Sequence, residues 1–203
     1  MGLLVLEQSI CCTLKAYFTR AIHLDFCLGT VGLLAVLRSL SHQGATVGVM
    51  ITASHNPSAD NGVKLVEPMG DMLAQSWESY AIALANAPSP EALAKELQKI
   101  VDAEHLDLGK GKARVIVARD TRPSGEALVK ALKLGIQVLG GEFVDHGIKT
   151  TPQLHYLVRC INTQGAYGAP TEDGYHQKLA NAFKKIVASF LYLKIKSSRM
   201  ESQ

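Results

Sequence analysis

A serine, a histidine, an amide and a lysine lie close together in Thr52-Ala53-Ser54-His55-Asn56-Pro57 and its sequel Asp60-Asn61-Gly62-Val63-Lys64. Between them Ser54, His55 and Lys64 supply a nucleophilic hydroxyl, a proton carrier and a cation. A serine hydrolase is one use of such a set. The stretch, however, lacks the Gly-x-Ser-x-Gly elbow, and His55, next to Ser54 on a tight loop, is poorly placed as its base. A second polar group, Arg119-Asp120-Thr121-Arg122-Pro123-Ser124-Gly125, stands just before a helical pattern. A helix start offers free N–H groups and a favourable dipole to an anion, and the two arginines add charge. The same residues also admit a structural role, with Asp120 pairing with an arginine and Thr121 or Ser124 capping the helix. His146 and His155 have no carboxylate at ligand spacing and read as structural. Gly109-Lys110-Gly111-Lys112 lacks the rest of a phosphate-binding loop and reads as a solvated turn.

The elements around these residues read as alternating helices and strands. Val47-Gly48-Val49-Met50-Ile51 is an apolar run that delivers the serine loop at its carboxyl end, where open α/β sheets keep their chemistry. Asn61-Gly62 is a turn signal, and Val63, Leu65 and Val66 bring Lys64 back beside the first strand. Ala113–Ala118 is a second buried strand that runs into Arg119. Gly29–Leu40, apolar on most of its surface, predicts a helix buried against the sheet. Helices are also expected over Gln75–Asn86, from Ser89 or Pro90 through Val101, over Ser124–Leu139, from Pro152 through Val158 and over Tyr175–Ala188. Trp77 and Tyr80, three residues apart, share a face and are expected to pack. A short strand is expected to begin at Glu142 and to close at Asp145-His146-Gly147. Phe190-Leu191-Tyr192-Leu193-Lys194-Ile195-Lys196 alternates like a strand, and residues 1–28 show no clear period.

Composition narrows the classes. The 203 residues are 47% hydrophobic, enough for a real core, and 21 basic against 18 acidic residues give no charged surface that argues for nucleic acid. Four cysteines, Cys11, Cys12, Cys27 and Cys160, lack paired metal-ligand spacing and the density of a secreted scaffold, so reduced thiols and a cytoplasmic location are expected. The opening Met1–Leu6 lacks a basic leader and meets Glu7 too early for a signal peptide. Phe26–Leu37 is too short to span a bilayer, and no membrane segment is expected.

The run Ile51–Leu73, with Thr52-Ala53-Ser54-His55-Asn56-Pro57, Asp60-Asn61-Gly62-Val63-Lys64-Leu65-Val66-Glu67-Pro68 and Gly70-Asp71-Met72-Leu73, resembles the active-site serine loop of the α-D-phosphohexomutases. Its nearest branch acts on N-acetylglucosamine phosphates. Arg119-Asp120-Thr121-Arg122, with Ala118 where the family has glycine, and Thr150-Thr151-Pro152 are similar to further family segments. The resemblance covers about Gly29–Val187. It implies the first of four domains, a mixed, mostly parallel sheet sandwiched by helices over 29–188, flanked by divergent segments 1–28 and 189–203.

The resemblance also implies a reaction. Phosphorylated Ser54 would pass its phosphoryl group to a sugar monophosphate, form a bisphosphate intermediate and interconvert N-acetylglucosamine 6-phosphate and 1-phosphate on the way to UDP-N-acetylglucosamine. His55 and Lys64 would stabilise charge or move the proton. Asn56 would hold the loop or accept hydrogen bonds, and Asn56, Arg119, Asp120 and Arg122 would bind substrate or its phosphate. Mg²⁺ would take the phosphate on Ser54 as one ligand, with aspartates that this sequence lacks as the others. The family's arginine loop, metal loop and phosphate-gripping domain are likewise not found here. The expectation is therefore a chain that is inactive alone, with a non-catalytic fragment acting as a binding module as the alternative.

Overall fold

In a computed structural model, residues 23–200 are described apart from Ser54 and Lys110, with side chains from Cys27 to Ser189. The expectations for residues 1–22, including Cys11 and Cys12, for Lys110 and for residues 201–203 lie outside the described residues. Helix α1 spans His23–Ser41, followed by β1 (Val47–Ile51), β2 (Val63–Val66), a 3₁₀ turn (Gln75–Trp77), α2 (Glu78–Ala85) and α3 (Pro90–Ala103). Then come β3 (Arg114–Arg119), α4 (Gly125–Val138), β4 (Glu142–Ile148), α5 (Thr151–Asn162) and α6 (Glu172–Met200).

The strands form one sheet in the order β2-β1-β3-β4. β1, β3 and β4 are parallel, whereas β2 runs antiparallel to β1. This is the mixed, mostly parallel sheet expected from the sequence. All five residues of β1 are buried, as a strand covered on both faces requires. Successive side chains divide between two cores. Val47, Val49, Ile51, Val115 and Val117 join α1, α3 and α4 on one face, and Met50, Ile116 and Ala118 join α5 on the other.

α1 is buried as predicted, but its main neighbour is a helix as well as the sheet. It crosses α4 so closely that a Cβ built on Gly135 would stand 2.0 Å from Gly29 O, and one on Gly32 2.5 Å from Leu132 O. Backbone meets backbone there, which only residues without side chains allow. Ser89 caps α3 by accepting the Ala92 N–H at 3.2 Å, with Pro90 in the first turn. Trp77 is buried and meets Tyr80 edge-on at 5.4 Å, with the Arg38 guanidinium 4.6 Å above its ring.

Several boundaries differ from the sequence reading. The proposed limits 28/29 and 188/189 both fall inside helices, α1 and α6. β4 runs on to Ile148, one residue past its expected close at Asp145-His146-Gly147. The strand expected at Phe190–Lys196 is instead the continuation of α6. No Gly or Pro interrupts the chain between Ala188 and Phe190, and adding a residue to an existing helix costs far less than starting a new element.

Candidate active site

Ile51 and Arg119 are register partners on adjacent parallel strands, so Thr52 and Asp120 emerge side by side at the carboxyl end of the sheet. Thr52 Oγ1 donates to Asp120 Oδ2 at 2.8 Å, and Asp120 N–H donates to Ile51 O at 3.0 Å. The serine loop, residues 52–62, leaves from there and returns as β2. Thr52 N–H donates to Gly62 O at 2.9 Å and closes the neck of the loop, while Asn56 N–H donates to Ala53 O at 2.8 Å and turns it. Asn61 serves the turn the sequence signals, its Oδ1 accepting from Gly62 N–H at 2.9 Å. Its Nδ2 donates to Ser124 Oγ at 3.0 Å. Ser124 therefore ties the loop to the start of α4 and makes no side-chain capping bond.

Arg122 reaches into the loop. Its Nε donates to Asp60 O at 2.9 Å, and Nη2 donates to Ala53 O at 2.7 Å and to Asn56 O at 2.8 Å. Nη1 pairs with the Asp120 carboxylate, whose other oxygen accepts the Arg122 N–H at 3.0 Å. Burial works against the charge on Asp120. The Arg122 N–H, the Thr52 hydroxyl and the Arg122 guanidinium together outweigh it and hold the carboxyl below its ordinary range. Arg119 pairs with Glu126 at 2.9 Å. Of the two roles open for this segment, the geometry displays the pairing of Asp120 with an arginine.

Ser54 lies outside the described residues. His55 and Asn56 are exposed at the outer part of the loop. Lys64 is opposite Met50 in the antiparallel β1–β2 pair, so it lies on the α5 face of the sheet, one residue pair in from the carboxyl end of β1. Among the described residues no hydrogen bond or ion pair engages its ammonium. A groove of about 620 Å³ lies elsewhere, between α5, α6 and the turn after β2, with Met69, Met72, His155, Tyr167 and Lys178 in its lining. It shares no residue with the serine loop. His155 is held there by a 2.8 Å bond from Nδ1 to Gly70 O.

Two features escaped the sequence reading. Glu67 is buried and accepts from Arg38 Nε at 2.8 Å and 3.0 Å, from Ala74 N–H at 3.0 Å and contacts His42 Nε2 at 3.0 Å. The grip of Arg122 on the loop carbonyls was also missed. Its partners lie 62 to 69 residues away in the chain, and no local spacing signals them.

The family profile described as phosphoglucomutase/phosphomannomutase, alpha/beta/alpha domain I, matches residues 20–87 and 83–168. A phosphoacetylglucosamine mutase of Homo sapiens is 52% identical over 168 residues, 83% of this chain and 30% of that protein. One of Saccharomyces cerevisiae is 43% identical over 182 residues, 85% of this chain and 33% of that protein. An Aspergillus fumigatus N-acetylphosphoglucosamine mutase in complex with glucose 1,6-bisphosphate superposes with a TM-score of 0.80 at 41% identity, covering 89% of this chain and 36% of the other. The same enzyme with GlcNAc-6P and magnesium gives a TM-score of 0.77 at 42% identity, again over 89% and 36%. The chain thus spans about 30% of the length of the human relative.

Proposed function

This chain belongs to the phosphoglucomutase/phosphomannomutase family, and from that premise we propose that it is the phosphoserine-bearing part of a phosphoacetylglucosamine mutase. The observation that carries the reading is the placement of Thr52-Ala53-Ser54-His55-Asn56-Pro57 at the carboxyl end of β1, beside the Asp120–Arg122 segment. The names of the relatives support the substrate, an N-acetylglucosamine phosphate.

In this mechanism phosphorylated Ser54 loses its phosphoryl group to a hydroxyl of the sugar monophosphate. The Oγ–P bond breaks, a sugar O–P bond forms and the hydroxyl proton is taken up by a neighbouring base. The bisphosphate then turns over and returns its other phosphoryl group to Ser54. Transfer of this kind needs positioning and charge neutralisation above all. His55 and Lys64 are the groups of this chain offered for proton movement and charge, and Asn56 for the shape of the loop. Magnesium, seen with the Aspergillus relative, would neutralise phosphate charge in the complete enzyme. Among the described residues no group of three or more His, Cys, Asp or Glu side chains stands together to hold a metal. In the complete enzyme this chain would give the ion the phosphate on Ser54.

The test is phosphopeptide mapping of a full-length version of the protein after incubation with glucose 1,6-bisphosphate, beside Ser54→Ala. Label on Ser54 is expected; label on Thr52 or Ser58 with Ser54→Ala still accepting phosphate refutes the assignment. Lys64→Met in a full-length version should slow the transfer by about two decades or more, as removal of an electrostatic catalyst does. A second reading, a non-catalytic chain that works by binding, is favoured by the apolar stripe Leu179, Phe183, Ile186 and Val187 exposed on α6. A coupled assay for N-acetylglucosamine 1-phosphate together with phosphoserine mass spectrometry on the chain separates the two: no turnover above Ser54→Ala is expected of this chain by itself, and turnover or phosphate on Ser54 would count against the binding reading.

A further inference from the structure

We infer that Arg122, backed by Asp120, is a positioning residue that holds the serine loop from beneath and is closed to substrate phosphate. The inference rests on the function proposed above only for what the loop is for; the clamp itself is read from geometry.

Of the five N–H groups of a guanidinium, four are spent. One goes to Asp60 O, two to Ala53 O and Asn56 O, and one to Asp120. A phosphate takes an arginine most strongly through two parallel N–H groups. Arg122 has one left, so binding phosphate in that way would release a loop carbonyl. Its side chain is also only 12% exposed. Arg119, committed to Glu126 and 17% exposed, is little more open.

The loop needs such an anchor. Residues 55–60 are all exposed, so they bury little apolar surface of their own to offset the entropy of ordering. One guanidinium instead collects the carbonyls of Ala53, Asn56 and Asp60, which bracket Ser54 in sequence. Asp120 completes the base by joining Arg122 to Thr52, the residue at which the loop leaves β1. A reacting atom displaced by about 1 Å can slow a reaction on the order of 100-fold, so a group that fixes this backbone acts on rate without touching substrate.

The experiment compares, in a full-length version of the protein, the unaltered sequence with Arg122→Met and Arg122→Lys by amide hydrogen exchange and by the rate of Ser54 phosphorylation from glucose 1,6-bisphosphate. Exchange within 53–61 should rise about tenfold or more in both variants, while α1 and α4 change less than twofold. Lysine should not rescue, because one ammonium cannot span three carbonyls. Phosphorylation should slow with little change in the bisphosphate concentration for half-maximal rate. If Arg122 binds phosphate, the loop exchanges normally, the half-maximal concentration rises and lysine largely restores it; that pattern overturns the inference. Should the variants fail to fold, the Arg122 Nε–H resonance of the wild type decides. A slowly exchanging signal unmoved by millimolar inorganic phosphate is expected, and one that shifts with phosphate overturns the clamp. The exchange readouts require no transfer chemistry, so a failure of the clamp is distinct from a failure of the proposed reaction.

Discussion

Replacing Asp120 with Asn keeps the shape of the side chain and removes its charge. In the wild type the carboxylate accepts from Thr52 Oγ1 at 2.8 Å, from Arg122 N–H at 3.0 Å and from the Arg122 guanidinium. An amide keeps one oxygen acceptor but turns N–H donors toward a side where Thr52 or Arg122 already donates. Hydrogen bonds to charged groups contribute about 1.5–3 kcal/mol each. The side chain is 20% exposed, so water recovers part of the loss. About 2 kcal/mol remains at neutral pH, a fall in Tm of roughly 4–8 °C for a chain of this size.

The pH dependence gives a sharper check on Asp120→Asn. The folded carboxyl is held below its ordinary range, which is near 3.9 unfolded. Its contribution is therefore complete above that unfolded value and is lost as pH falls through the lower folded one. Urea unfolding at a series of pH values should show a gap between wild type and Asp120→Asn that is constant from about pH 7 to pH 5 and narrows below about pH 4. A gap that persists undiminished at the acid end, or one under about 0.5 kcal/mol at pH 7, would refute the assignment of charge assistance to this residue.

Glu67→Gln should cost about 3 kcal/mol by urea unfolding, because it strips the counter-ion from Arg38, whose side chain is 13% exposed. Replacing Arg38 and Glu67 together by Met should recover part of that loss, since the unpaired charge then goes too. Gly135→Ala should cost roughly 2–4 kcal/mol by the same measurement, as the new methyl would meet Gly29 O and force α1 from α4. Gly140→Ala, with open space around it and a φ of +71°, should cost about 1 kcal/mol from backbone strain alone.

What the sequence makes legible is local. β1, β3 and the return of β2 follow from short apolar runs ended by polar residues, and Ser89-Pro90 marks a helix start through chemistry confined to one turn. The crossing of α1 and α4 is invisible by the same logic. Gly29, Gly32 and Gly135 look like weaknesses in two helices until the backbones are seen to touch. The end of α6 shows the opposite error, where an alternation of large and charged residues imitates a strand although the helix before it had no reason to stop.

The candidate site divides along the same line. Residue types and a position after a strand identify which side chains are near the chemistry, but a role depends on how many donors remain free once the fold has taken its share. Arg122 and Lys64 are equally cationic in the sequence. In the structure one guanidinium has four of its N–H groups committed to the loop and Asp120, while Lys64 rises from a strand edge with no partner among the described residues. A group already satisfied by backbone carbonyls stabilises a geometry, and an unsatisfied cation beside that geometry is available to an incoming phosphate. Donor count therefore distinguishes Arg122 from Lys64 where charge alone does not, and under the function proposed above it is Lys64 that remains open to a phosphate.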